Sequence, residues 1–160
     1  MCVMGGVVLE SSIMMLDDRT DKATKQMLQK VVERKRKFDA FTTRHLVVLW
    51  ATVFFAFIYI YILYKTIAIP YSYSFAAMFS AYVSHSYHLY ALVFIGGLYG
   101  LMILLKEKKD KAEKEYHALR CEIIDKSKDL WKQEDAWKNR HIVFEMMKKN
   151  YDINLYHENK

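Results

Sequence analysis

Proline occurs once, at Pro70, and glycine only five times in the 160 residues. Turns are therefore scarce, and long helices are the expected local structure. Charge is missing in a more telling way. Residues 66–105 contain no Asp, Glu, Lys or Arg, forty positions in a row, and residues 45–64 contain none either. A soluble domain must face water over most of its surface and has no reason to strip charge from sixty residues. A bilayer supplies that reason, because a charge near its centre costs about 2.5–3.5 kcal/mol even on insertion scales.

Other absences narrow the function. The two cysteines, Cys2 and Cys121, are both expected in a reducing cytoplasm, which excludes a disulfide framework. There is no Walker loop, GxSxG, HExxH or CxxC motif, so neither an enzyme nor a cofactor is expected. With no charge inside the apolar runs, a proton relay, a voltage sensor or an ion-coupled transporter is disfavoured. The N-terminus, MCVMGGVVLESSIMM, has no basic start, and Glu10-Ser11-Ser12 interrupts its apolar stretch, so it does not read as a signal peptide. Residues 1–19 are expected to be disordered, with Met14 or Met15 nearer the true start.

What is present forms two populations, 53% apolar and 26% charged residues, which the near-zero mean hydropathy conceals. Leu46–Tyr64 is nineteen residues, about 28 Å of helix and enough for one crossing. Tyr87–Leu105 is a second convincing span. The stretch from Thr66 to His88 is diluted by five serines, two histidines and Pro70. Flanking charge decides how many crossings there are. Residues 19–44 carry nine Lys/Arg and residues 106–120 carry six. The positive-inside rule puts both clusters in the cytoplasm, which requires an even number of spans. The predicted fold is an all-α membrane protein: a two-span antiparallel transmembrane hairpin with cytoplasmic helical extensions at both ends. Its expected segments are a basic amphipathic helix over 20–44, spans over 45–64 and 87–105, an external loop over 65–86, a cytoplasmic amphipathic helix over 106–150 and a tail over 151–160. The predicted location is the plasma membrane, multi-pass, with both termini cytoplasmic.

Within the loop, Phe75, Met78, Phe79 and Tyr82 share one helix face, and Ala77, Ser80, Ala81 and Ser84 form a small-residue face. Either an interfacial helix or an extension of the second span fits. Gly96 and Gly100 form a GxxxG, matched in depth by Thr52 and Ala56 of the first span, and the two patches are read as the contact between the spans. The rival partner for the glycines is a second copy. The paired register makes partner numbers sum to about 152, which sets Met27, Leu28 and Val31 near Ile124, Ile123 and Cys121. Thr20 is a candidate cap for the first helix and Asn150 a candidate end for the last.

Arg34, Lys35, Arg36 and Lys37 are positioned to touch anionic lipid headgroups, at about 1 kcal/mol per residue. A nucleic-acid role for the net charge of +6 is not expected, because most of the excess hugs the membrane. Beyond Lys132 the last helix outruns its partner while carrying Trp131, Trp137, Phe144 and Met147, which makes these residues candidates for binding a protein partner or a second copy. His85 and His88 share a helix face, but no carboxylate or cysteine in the uncharged run completes a metal site. With His45 they are read as interfacial histidines bonded to headgroups or water.

The juxtamembrane ERKRKFDAF, the hairpin and the ending WKNRHIVFEMMKKNYDINLYHE together resemble the YpbF-like family of small two-span Bacillus membrane proteins. The resemblance covers roughly residues 20–160. It implies a bacterial plasma membrane and carries over no active-site residue. The leading functional expectation is a non-enzymatic interaction or scaffold protein presenting cytoplasmic helices. The alternatives are a small pore-forming, holin-like oligomer and, less favoured, a metal- or haem-dependent redox protein.

Overall fold

The computed structural model describes residues 11–16 and 20–156. Among these residues the chain is helical and has no strand. The elements are α1 (Ser11–Met14), α2 (Lys22–Leu63), a π-helical turn (Tyr64–Ala68), α3 (Phe75–Ser84), α4 (Ser86–Asp125), α5 (Ser127–Leu130) and α6 (Glu134–Tyr151). They fall into two compact units. The hairpin unit is residues 40–110, and the bundle unit combines the described residues up to 39 with those from 111 to 156.

In the hairpin unit α2 and α4 run antiparallel. The ring of Phe55 meets that of Phe94 edge-on at 5.4 Å, and the Tyr59 hydroxyl donates to the His88 carbonyl at 3.3 Å. The shielded positions alternate in steps of three and four: Thr42, His45, Leu49, Thr52, Ala56 and Tyr59 on α2, and His88, Ala91, Ile95, Leu98, Met102, Leu105 and Lys109 on α4. Such spacing keeps one face of each helix on its partner. The facing numbers sum to about 150, close to the register expected from sequence.

That face is not the one assigned to the glycines. Gly96 and Gly97 are exposed, and a Cβ built on Gly96, Gly97 or Gly100 meets nothing within 4 Å. Thr52 is buried and Ala56 half-buried, but they lie on the seam opposite bulkier α4 side chains. The expected Thr52/Ala56–Gly96/Gly100 contact is therefore corrected. Equal depth was the right test of level, but it carries no information about which side of the helix faces inward.

At the turn end the chain passes through the π-helical turn and Pro70 before α3, which packs back on that turn and buries Ala81 and Ile67. Extended backbone at His85 (φ −106°, ψ 95°) separates α3 from α4. Residues 75–84 are thus a separate helix and not an extension of the second long one.

The bundle unit has the larger core. Leu28, Val31 and Val32 of α2 and Tyr116 and Ile123 of α4 pack with Trp131, Ala136, Val143, Phe144 and Met147. Met27 and Ile124 flank this core, as the register predicts, while Cys121 is half-buried. The expected continuous helix over 106–150 is corrected, since α4 stops at Asp125, α5 is a single turn, and α6 folds back. Gln133 is extended at the start of α6. Glu134 and Asp135 occupy its first turn and Lys148 and Lys149 its last, each favourable to the helix dipole. The helix ends at Tyr151, one residue beyond the predicted Asn150. Asp152 is left-handed (φ 56°), and its N–H donates to Lys148 O while that of Ile153 donates to Met147 O. This turn drives Ile153 and Leu155 into the core, so the predicted C-terminal tail is partly interior.

Asp21, not Thr20, supplies the carbonyl that accepts the first helical bond, from Lys25. The disorder expected over 1–19 does not hold at Ser11–Leu16, where Ile13 is fully buried; the remainder of that segment lies outside the described residues.

Met147 is 0% exposed whereas Ile142 of the same helix is 56% exposed. Met147→Ala is expected to lower stability by about 2–5 kcal/mol and Ile142→Ala by less than about 0.5 kcal/mol. Denaturation of the detergent-solubilised chain followed by circular dichroism measures both.

Candidate functional site

Two clusters of polar and aromatic groups stand out. The first is at the turn end of the hairpin unit, where Tyr59 from α2, Tyr82 from α3, and His85, Tyr87 and His88 around the start of α4 converge. The Tyr82 and His88 rings stack at 5.3 Å with planes 16° apart, and Tyr59 and His85 lie 6.2 and 6.3 Å from His88. The Tyr59 and Tyr82 hydroxyls are 3.3 Å apart. His88 is completely buried, which corrects the expectation that it meets headgroups or water; His85 is exposed. The seam of α4 begins at His88, and the 3–4 pattern continued back from Ile95 and Ala91 was the available signal. Among the described residues no group of three or more His, Cys, Asp or Glu could hold a metal ion.

The second cluster is in the bundle unit, around Lys35 and Tyr116. The Lys35 ammonium is 3.0 Å from an Asp39 carboxylate oxygen and 3.7 Å from one of Asp152. It also sits 5.7 and 5.9 Å from the centres of the Phe38 and Tyr116 rings. Those rings stack at 6.2 Å with planes 3° apart. Burial opposes the charge on Lys35, but the hydrogen bond and charge of Asp39, with Tyr116 and Asp152, outweigh it and raise its pKa. Burial raises the pKa of Tyr116, against the pull of Lys35 and Arg120. This arrangement can hold two helices in register.

The basic run expected at headgroups is accordingly divided. Arg34 is paired with Glu115 at 3.1 Å, and Lys35 is occupied as described. Lys37 and Arg36 are both exposed.

The partner-binding candidates are mostly interior. Trp131, Phe144 and Met147 are 2%, 6% and 0% exposed, and Trp131 meets Phe144 edge-on at 5.6 Å. Trp137 flanks the core under the Arg140 guanidinium, 3.5 Å from its ring centre. The premise that this helix lacks an intramolecular partner is corrected: α6 is its own chain's core. What the bundle leaves exposed is a different set, with Met15 85% and Ile142 56% accessible. Both edge an apolar cleft of about 310 Å³ completed by Leu16, Thr20, Trp131, Ala136, Asn139 and Val143.

Because both raised pKa values favour the protonated groups in the folded chain, their stabilisation is complete below about pH 10, the ordinary range of tyrosine and lysine, and is lost as pH rises above it. Thermal stability of the bundle is expected to be flat from about pH 7 to 9 and to fall beyond about pH 10. Tyr116→Phe should make that fall shallower, as read by melting curves in a pH series.

A family model described as a protein of unknown function (DUF2663) matches residues 27–158. The chain is similar to the uncharacterized protein YpbF of Bacillus subtilis strain 168, with 39% identity over 153 residues, covering 95% of this chain and all of the relative. No solved structure matches it.

Proposed function

The chain belongs to the DUF2663 family, as the YpbF-like resemblance implied, and from that premise we propose that it is a non-enzymatic, two-span integral membrane protein whose helical bundle serves as an interaction module. The observation that carries the membrane reading is the hairpin's exposure. Two helices are long and apolar enough to cross a membrane, and only 6% of each apolar window is buried. A core helix of a soluble protein would be mostly covered. Here Phe54, Phe57, Val93 and Leu104 are exposed, a surface that water disfavours and acyl chains accept. In this reading α2 and α4 pair as an antiparallel coiled coil, α3 lies at the outer interface, and the bundle is cytoplasmic with both termini. The plasma membrane is the natural location for this topology, with Arg36, Lys37, Arg44, Lys106 and Lys108 set to meet anionic headgroups.

Interaction with a protein partner then falls to the exposed apolar side chains of the bundle, Met15 and Ile142 foremost, and not to the buried tryptophan cluster. A pore is less well supported. Thr52 and Thr66 donate their hydroxyls to carbonyls of their own helix, Val48 and Ile62, leaving little to line a water path.

Green fluorescent protein fused after Lys160 should fluoresce and alkaline phosphatase fused there should be inactive, with the reverse for fusions after Tyr73. An active phosphatase at the C-terminal end overturns the topology. A photo-crosslinker at Ile142 should capture a partner in cells while one at Phe144 should not; equal capture from both, or none, counts against the interaction surface.

One observation favours a second copy as partner within the membrane, namely the open face at Gly96, Gly97 and Gly100. Gly96→Ile with Gly100→Ile should leave the monomer's melting unchanged or slightly raised, because glycine costs a helix about 1 kcal/mol, and should abolish any dimer seen in detergent.

A further inference from the structure

His88 is the one side chain of the hairpin unit that the fold buries completely without satisfying it. It is 0% exposed, and neither ring nitrogen has a hydrogen-bond partner among the described residues. A neutral imidazole carries one donor and one acceptor, and leaving both unmet in a covered site is costly. Flat rings enclose it, those of Tyr82 and His85 stacked on the imidazole and those of Tyr59 and Tyr87 tilted against it.

The groups facing His88 can be named one by one. Tyr59 comes from α2, at 6.2 Å between ring centres. Tyr82 comes from α3, stacked at 5.3 Å. His85 lies in the link before α4, at 6.3 Å, and Tyr87 is on the same helix, at 4.2 Å. No carboxylate is among them, and residues 40–106 contain none at all. The one charged residue between Arg44 and Lys106 is Lys65, on the π-helical turn that α3 packs against, and its sign is the same as that of an imidazolium.

We propose that His88 is an acid-operated latch for α3. While neutral, its ring is the floor on which Tyr82 stacks, and the Tyr59–Tyr82 hydroxyl contact fastens α3 to α2 through the same residue. Taking up a proton from solvent turns both ring nitrogens into donors and adds a charge with no counter-ion. The faces of Tyr82 and Tyr87 attract a cation, but they offer no acceptor for either N–H. Water does, and reaching it requires Tyr82 to lift. Because Tyr82 sits in the last turn of α3 beside the extended His85, lifting it carries the helix away from the π-helical turn and uncovers Ala81. This needs only the geometry of the hairpin unit and does not depend on the partner assigned to the bundle.

The test uses the full chain in lipid nanodiscs with Cys2 and Cys121 changed to Ser, and a single cysteine on either side of α3. Ala81→Cys reports the buried side and Ala76→Cys the exposed side of the same helix. The ratio of their maleimide labelling rates cancels the intrinsic effect of pH. It should rise roughly fivefold or more between about pH 7.5 and pH 5.5, the range over which histidine titrates. His88→Phe, which keeps a flat ring without a proton site, should abolish the rise, and His85→Gln should preserve it. A flat ratio in the parent, or an equal rise in His88→Phe, overturns the proposal. If Ala81→Cys itself loosens α3 at neutral pH, amide exchange of residues 75–84 in the unmodified chain, corrected for intrinsic rates, decides instead: protection lost on acidification supports the latch, and constant protection overturns it.

Discussion

Two helices of forty residues can lie side by side only if one face of each is reserved, turn after turn, for the other. In this chain that reservation is visible as a step of three and four residues along α2 and α4, and it recurs in both compact units. In the bundle unit the reserved positions are Thr24, Leu28, Val31, Lys35 and Phe38 against Ala112, Tyr116, Leu119 and Ile123. In the hairpin unit they continue from Thr42 and end at His88. Much else follows from this face. Gly96 and Gly97 point away because they are off it, His88 is covered because it is on it, and Lys35 lies over two aromatic rings because a lysine on such a face must bury its stem while its ammonium finds acid groups.

The two long helices were legible in the residues, because charge depletion and flanking basic clusters are properties of composition along the chain; the antiparallel register followed from depth, and the family from the resemblance carried by ERKRKFDAF and the C-terminal ending. What was not legible depended on direction around a helix axis or on contacts between distant segments. Depth matched Thr52 to Gly100, but rotation about the helix decides which side chains meet, and no count of residues from a span end reports it. The tryptophan-rich helix looked unpartnered because its partner is reached only after the chain turns back at Lys126 and again between Trp131 and Gln133. No proline or glycine marks either bend. The burial of Ile13, Ile153 and Leu155 has no signature in the sequence, since short apolar segments near the termini carry no periodicity of their own.

The bundle shows how a chain of modest length builds an interior without many turns. Helix α6 closes over α2 and α4, α1 adds Ile13, and the left-handed Asp152 folds the last apolar residues inward. Aspartate tolerates that backbone region better than most residues, and its carboxylate also reaches Lys35. One residue thereby ends a helix and ties it to another. Thr24 does similar work on the opposite side, where its hydroxyl donates to the Leu130 carbonyl at 3.3 Å and anchors the single turn α5.

The π-helical turn from Tyr64 to Ala68 holds an additional residue compared with an ordinary turn, and it falls where the seam steps from Leu63 to the buried Ile67. Removing any one of those five residues would let the ladder close as plain α-helix, and the segment beyond would keep nearly its present direction, because the wide turn already absorbs the extra residue. That turn is in effect slack in the chain: it takes up one residue more than an α-helical turn needs, so the faces presented before and after it stay in step.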